Sequence, residues 1–453
     1  MNDSALPPDL RDWIEATTGA TVARSHRHLA GASRQAWSVD VEHDGELLPL
    51  FVLRDSLSGN GGSARDGAVL AALAGTTVPV PRVHGVDEQR GALLLERVAG
   101  RSDFPGVDDD SEREPTARDL MEITATLHAL DPSSLPIAHL GPPGEPAAHA
   151  AEQLAKVEGV AMLLGDRIAP LFSFALAWLG RNVPTDVDRT SLVHSDMGPG
   201  NFLYRGGRVT AVLDWEVAHW GDAMEDLAAI AVRDMATPVG HLPTRYAEYA
   251  AASRAPVDLG RVGWYRVLVL TRNSMLIGLG MSRDDPTIDR AQLTMFRALL
   301  MRADAIALCD MVGVDRPIEA PLEEGLLSDD LRLAAHAWRD QCDVVIPALH
   351  ALPDSYATHR ANGVSAVLGA VDHRMRFGDD YLRRELDDLS TTLGRRPVDE
   401  IDGFTDLRAL CADAGREREL ASFFGRHLLR RGMLLAPLLG PLAERLPQRL
   451  EGE

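Results

Sequence analysis

The sequence predicts an α+β chain, in which a small antiparallel β-sheet comes first, a mainly helical part follows, and an all-α module comes last. Up to about residue 98, short apolar runs are cut by turn residues at strand-like intervals. From about 115 onward apolar residues recur at helical spacing instead. A Pro-, Gly- and Glu-rich stretch over 312–327 sets the last helices apart as a unit of ordinary domain size. The expected divisions are therefore 1–98, 99–315 and 328–453.

Each element follows from its own residues. Residues 8–20 form a short amphipathic helix with Leu10, Trp13 and Ile14 on one side. Strands are expected over 27–29 and 36–41, joined by the turn Gly31-Ala32-Ser33, and a third over 46–53 leads into Arg54. The Gly/Ser-rich stretch 56–63 reads as a loop, and 64–73 as a helix presenting Val69, Leu70 and Leu73. Val78-Pro79-Val80-Pro81 is an extended connector, because a residue before proline is pushed out of the helical region. Strands over 83–86 and 92–97 flank the polar turn 87–91. Helices are expected over 120–130, 152–164 and 168–179, then from 225 to about 311. The acidic run 108–114 reads as a solvated loop. The last module is expected to hold helices over 329–349, 356–374, 379–393 and 416–435.

Bulk properties narrow the class of function. The 453 residues, 45% hydrophobic and 25% charged, describe a globular chain with more than one core. The first 18 residues lack the basic and apolar regions of a signal peptide, and the apolar runs 68–74 and 433–439 are far too short to span a bilayer. A net charge of −21 disfavours nucleic acid as a partner. Cys309, Cys342 and Cys411 are too scattered for a metal site and read as reduced, buried thiols of a cytoplasmic protein. Lysine occurs once, at Lys156, so any phosphate-binding cation elsewhere must be arginine.

The segment that carries chemistry reads Leu192-Val-His-Ser-Asp196-Met-Gly-Pro-Gly-Asn201-Phe-Leu-Tyr-Arg-Gly-Gly-Arg-Val-Thr-Ala-Val-Leu-Asp214-Trp-Glu216. Phosphoryl transfer needs a carboxylate to orient the attacking hydroxyl, oxygen ligands for magnesium, and a cation on the phosphates. Asp196 and Asn201 share one Gly/Pro loop, and a hairpin about Gly206-Gly207 folds Asn201 back near Val212, two residues from Asp214. Diagonal neighbours of that kind lie roughly 7–8 Å apart, within reach of one metal ion. Taken singly, an Asp–Asn loop beside a Gly-Gly hairpin is also ordinary turn chemistry.

With these residues the chain resembles the aminoglycoside-phosphotransferase and choline-kinase-like superfamily, whose pattern is His-x-Asp-x4-Asn, a short hairpin, then Asp. It looks closest to the branch that includes kinase-like modules fused to some acyl-CoA dehydrogenases. The resemblance covers roughly residues 10–311. It implies a protein-kinase-like, two-lobed fold, with an N-lobe at 1–98 and a catalytic C-lobe at 99–315. It also implies ATP and Mg2+ as cofactors, Asp196 as catalytic base, and Asn201 and Asp214 as magnesium ligands. His194 would fix the loop as a buried, hydrogen-bonded residue. In the stretch 221–227 an Asp would buttress the loop, while Asp222 equally suits a helix cap. Ser195 stands where glycine is common, its hydroxyl facing solvent or capping the loop.

By the same resemblance a phosphate-covering hairpin lies at Gly31-Ala32-Ser33-Arg34-Gln35, and an adenine-binding hinge at Glu96, Arg97 and Val98. The usual lysine of the third strand and its glutamate partner are replaced by Arg54 and Asp66. Two accounts of this change stand open: the pair substitutes for Lys–Glu, or it marks weak catalysis. The implied function is ATP- and magnesium-dependent phosphorylation of a hydroxyl on a small molecule, antibiotic-like or hydroxyacyl. The alternative is a catalytically weak nucleotide-binding pseudokinase or scaffold acting through its C-terminal helices, which also suit a homodimer contact. Acceptor contacts are expected near Trp215, His219, Trp220, Arg233 and residues 265–272.

Overall fold

The computed structural model describes residues 6–28, 34–55, 62–106, 109–165, 168–284, 288–325 and 355–451, with isolated positions between 337 and 348. The expected turn Gly31-Ala32-Ser33 and most of the expected helix 329–349 lie outside the described residues. The chain divides into two compact units, one of 1–150, 185–262 and 450–453, the other of 151–184 and 263–449.

The first unit opens with helix α1 (Pro8–Thr18), started by proline at its first turn and stopped by Gly19 at φ +66, whose N–H reaches Glu15 O. Strands β1 (Thr21–His28), β2 (Arg34–His43), β3 (Glu46–Asp55), β4 (Val83–Asp87) and β5 (Ala92–Glu96) form one antiparallel sheet in the order β1-β2-β3-β5-β4. One face, carrying Trp37, Val39, Val41, Leu50 and Val52, packs on Leu10 and Ile14 of α1. Helix α2 (Gly62–Leu73) follows β3. β1 runs to eight residues against the three expected, because its sequence TVARSHRH is polar and mostly exposed, with no apolar alternation to read.

After β5 the chain is pinned to a second hairpin, β7 (Phe202–Arg205) with β8 (Arg208–Val212). Arg101 bridges Tyr204, and a Cβ at Gly100 would stand 2.7 Å from Thr210 Oγ1 and 2.9 Å from Leu203 Cβ, so only glycine fits there. The acidic run expected to be a loop instead begins helix α3 (Asp110–Ala129), where carboxylates at a helix N-terminus are favourable. Strand β6 (Ser191–Val193) pairs with β9 (His219–Gly221). Helices α6 (Met224–Asp234) and α7 (Leu242–Ser253) complete this unit, and α4 (His149–Leu164) and α8 (Leu259–Met281) begin in it.

The second unit is helical, with α5 (Pro170–Arg181), α9 (Arg290–Val312), α10 (Ser355–Leu393), α11 (Glu400–Leu410), α12 (Glu417–Leu434) and α13 (Ala436–Leu439) beside most of α4 and α8. Two helices expected over 356–374 and 379–393 are one 39-residue helix, α10. Phe174 stacks on Phe424 at 5.6 Å. A buried ionic knot joins Glu385 to His427 (2.9 Å) and Arg430, whose guanidinium also meets Glu319 at 2.8 Å. Cys309 and Cys411 are buried free thiols; Cys342 lies outside the described residues. Among the described residues no helix is long and apolar enough to cross a membrane.

Asp304 on α9 is fully buried and accepts from the Thr271 hydroxyl at 2.8 Å. Burial pushes its carboxyl from 3.8 up to about 8. A carboxyl raised on folding stabilises the chain fully below its unfolded value and loses that contribution as pH climbs to the folded value. Asp304→Asn is therefore expected to gain on the parent between pH 5 and 8, by about 1.4 kcal/mol per pH unit. Thermal midpoints of both proteins across that range check this; parallel curves would mean that Asp304 is ionised in the folded chain.

Candidate active site

Strand β6 delivers His194 and Ser195 into a buried anchor built on α6. Asp226, wholly buried, accepts from the backbone N–H of His194 (2.9 Å) and of Ser195 (2.7 Å), and its Oδ2 lies 3.0 Å from His128 Nε2. Asp226 is thus the buttress, while Asp222 stands one residue ahead of the α6 N-cap, Ala223, and accepts from Met224 N at 3.1 Å. His194 is buried too. Its Nε2 donates to Leu213 O (2.8 Å) and its Nδ1 accepts from Asp196 N (3.2 Å), which fixes the tautomer. Ser195 has φ +67, a left-handed conformation that explains why glycine suits the position. Its hydroxyl does not reach solvent: it is buried and donates to Glu225 Oε1 at 2.6 Å.

Asp196 follows directly. Arg233, from the last turn of α6, donates Nε to Asp196 Oδ1 at 2.8 Å and Nη2 to Oδ2. Asn201 Nδ2 donates to Asp196 Oδ2 and to its backbone carbonyl, each at 2.9 Å. Burial pushes the Asp196 carboxyl up, but the Arg233 guanidinium and these hydrogen bonds outweigh it and hold it below its ordinary value. Its side chain is still 33% exposed, so one edge faces open space.

The β7–β8 hairpin brings in Asp214. Phe202 pairs with Val212, and Leu213 N donates to Asn201 O at 2.8 Å, so Asn201 stands opposite Leu213, one residue from Asp214 rather than two. Asp214 has φ +66 and a side chain 35% exposed. With its NH2 committed to Asp196, Asn201 keeps its amide oxygen, and Asp214 adds a carboxylate; both are hard oxygen donors suited to magnesium. Among the described residues no group of three or more His, Cys, Asp or Glu could hold a metal ion, so phosphate and water oxygens would have to complete the shell.

The nucleotide side corrects the sequence reading. Asp66, on α2 and fully buried, pairs with Arg34 at 2.6 Å, whereas Arg54 pairs with Asp9 of α1 at 3.2 Å on the partly exposed outer face. The cause is strand pleat: Arg54 shares the parity of Leu50 and Val52, which face α1. Asp55 takes the opposite face, and its cross-strand partner is Arg34. Arg34 is only 6% exposed and lies among Asp55 (3.4 Å), Asp66, Asp214 (3.3 Å) and Glu216 (3.1 Å). Burial disfavours its charge, but Asp66, Glu216 and Asp214 hold it protonated. Its Nη2 is buried without a hydrogen-bond acceptor among the described residues, beside Gly62, where a Cβ would stand 3.3 Å away. An orphaned cationic edge next to a missing side chain fits a phosphate oxygen. The sequence signal was available in the alternation of Leu50, Val52 and Arg54.

The remaining expected residues sort plainly. Gly31 and Ser33 lie outside the described residues. At the expected hinge, Glu96 N donates to Arg82 O (2.8 Å) and Arg97 N to Pro49 O (3.2 Å), so Val98 is the one of the three whose N–H has no backbone partner among the described residues. Trp215 and Trp220 are buried, their indoles spent on Val212 O and Gly141 O. Tyr265 and Arg266 are buried in the second unit, Arg266 on Asp310 at 3.0 Å, and serve packing there.

The profile of the phosphotransferase enzyme family matches residues 26–265. Acyl-CoA dehydrogenase family member 11 of Rattus norvegicus is 31% identical over 145 residues, which are 31% of this chain and 18% of the relative. Family member 10 of Mus musculus is 26% identical over 175 residues, 36% of this chain and 16% of the relative. The similarity thus spans less than a fifth of either relative. Among solved structures, a Ralstonia eutropha protein described as a candidate aminoglycoside phosphotransferase aligns with a TM-score of 0.50 at 22% identity, covering 66% of this chain and 94% of that one. That is a likeness of fold.

Proposed function

We propose, for a chain that belongs to the phosphotransferase enzyme family, transfer of the γ-phosphoryl group of ATP to a hydroxyl of a small molecule, with magnesium as cofactor. One observation supports this reading above the rest. Asp196, Asn201 and Asp214 are gathered by a single hairpin and a single buried anchor, and Arg34, whose Nη2 has no acceptor among the described residues, donates Nη1 to Asp214 at 3.3 Å.

Asn201 and Asp214 would hold the magnesium and Arg34 the nucleotide phosphates; the metal, when bound, neutralises charge on the phosphate oxygens. Asp196 does the protein's part of the transfer. Its Oδ2 accepts from Arg233 and Asn201, whereas Oδ1 accepts from Arg233 alone and keeps a lone pair for the acceptor hydroxyl. The carboxylate aligns that oxygen and takes its proton as the new P–O bond forms and the bond from the γ-phosphorus to the β–γ bridging oxygen breaks, ADP leaving with that electron pair.

The acceptor class is antibiotic-like or hydroxyacyl. Sequence relatives named acyl-CoA dehydrogenase family members put hydroxyacyl compounds on the panel. The test is ATP consumption with magnesium against aminoglycosides, macrolides and hydroxyacyl compounds, with the phosphate ester identified by mass and Asp196→Asn as control. An acceptor-dependent ester lost in Asp196→Asn is the expected result. Nucleotide binding with no ester from any acceptor would point instead to a scaffold.

A further inference from the structure

The catalytic-loop reading does not account for one partly buried charge, Arg233. Its side chain lies in a trough formed by the loop itself. Gly198 and Gly200 sit at φ +137 and +95, and a Cβ on them would stand 3.0 Å from Arg233 Cδ and 3.2 Å from its Nη1. A side chain at Gly198 would crowd the stem of Arg233, and one at Gly200 its guanidinium. Of its donors, Nε and Nη2 grip both oxygens of Asp196, and Nη1 donates to Pro199 O at 2.8 Å. One guanidinium therefore closes the loop on itself, tying the carboxylate at its start to the backbone at its middle. Asn201 N donates to Gly198 O at 3.0 Å, and Asn201 Nδ2 returns to Asp196.

From this geometry we propose that Arg233 is the positioning residue of the transfer step: it sets the rotamer of Asp196 and holds the 196–201 loop in the shape that presents Oδ1 to the acceptor. The proposal rests on the reading of Asp196 as the residue that orients the acceptor. Lysine cannot replace this function in full, because an ammonium has no planar fork to span two carboxylate oxygens and a carbonyl. The anchor on Asp226 holds His194 and Ser195 independently, so losing Arg233 frees the loop beyond Asp196 without unseating its base.

The experiment compares the parent, Arg233→Lys and Arg233→Met by amide hydrogen exchange and by phosphoryl-transfer kinetics. In Arg233→Met, exchange at 198–201 is expected to accelerate while 194–195 stay protected. Its kcat is expected to fall on the order of 10²-fold, the cost of a misplaced reacting group, with KM for ATP within about threefold. Arg233→Lys is expected to recover roughly tenfold of the lost kcat through its charge alone. Unchanged exchange at 198–201 in both variants overturns the proposal, as does a rise in KM for ATP with kcat intact. If Arg233→Met does not fold, the lysine variant carries both readouts. If the parent itself transfers no phosphate to any acceptor, the functional reading fails, and the exchange data still decide whether Arg233 holds the loop.

Discussion

The double variant Arg34→Met/Asp66→Leu is expected to lose ATP-dependent turnover on the order of 10²-fold or more, the range seen when a preorganised donor to a developing charge is removed. Arg54→Met is expected to stay within about twofold of the parent. The contrast follows from placement. Arg34 is buried among four carboxylates with one edge unpaired, whereas Arg54 and Asp9 are 30% and 45% exposed in their side chains, a pair worth at most about 1 kcal/mol. The double variant is the right comparison because Arg34→Met alone would strand Asp66 as an uncompensated buried charge, at a cost of about 3–5 kcal/mol. Nucleotide affinity by calorimetry and turnover by ADP release check both proteins. Loss in Arg54→Met with retention in the double variant would return the phosphate role to the third strand.

Asp226→Ala carries the second large effect, and it falls on folding and turnover together. The carboxylate serves two backbone N–H groups and the ring N–H of His128, all buried. Each buried donor left unsatisfied costs about 1–3 kcal/mol, so a loss of roughly 3 kcal/mol or more is expected in the first unit. Among molecules that remain folded, kcat is expected to drop on the order of 10²-fold, because His194 and Ser195 position Asp196. Asp226→Asn keeps the shape but turns one acceptor into a donor, and it should fall between. Thermal melts paired with kcat at a temperature where each variant is folded separate the two effects. Destabilisation with kcat per folded molecule unchanged would make Asp226 a fold residue only.

The chemistry-bearing block was legible because its meaning is local. The Gly206-Gly207 turn sets the hairpin, and a register shift between Leu203 and Tyr204, which no local pattern announces, brings Asn201 opposite Leu213 and not Val212. The buttress was legible as a type but not as a position, since only the fold shows that Asp226 and not Asp222 receives the loop's N–H groups. Arg34 was read only as part of the phosphate-covering turn, and Asp66 was paired with Arg54, which lies on the sheet face opposite to that shared by Asp55 and Arg34. Arg233 drew notice as an arginine near the acceptor, but its grip on Asp196 joins positions 37 residues apart, beyond any local pattern. Polar β1 and the continuous α10 were misjudged because pairing and packing, not their own residues, set their lengths.

Asp214 adopts φ +66, a conformation open at little cost to Gly, Asn and Asp and strained for most other residues. Backbone geometry therefore admits three residues there, and only one of them is an anion. A library at position 214 sorted for folding should let asparagine and glycine accumulate beside aspartate. The same library sorted for phosphorylated product should return aspartate almost alone, and the difference between the two harvests would measure how far chemistry, rather than architecture, dictates that letter of the sequence.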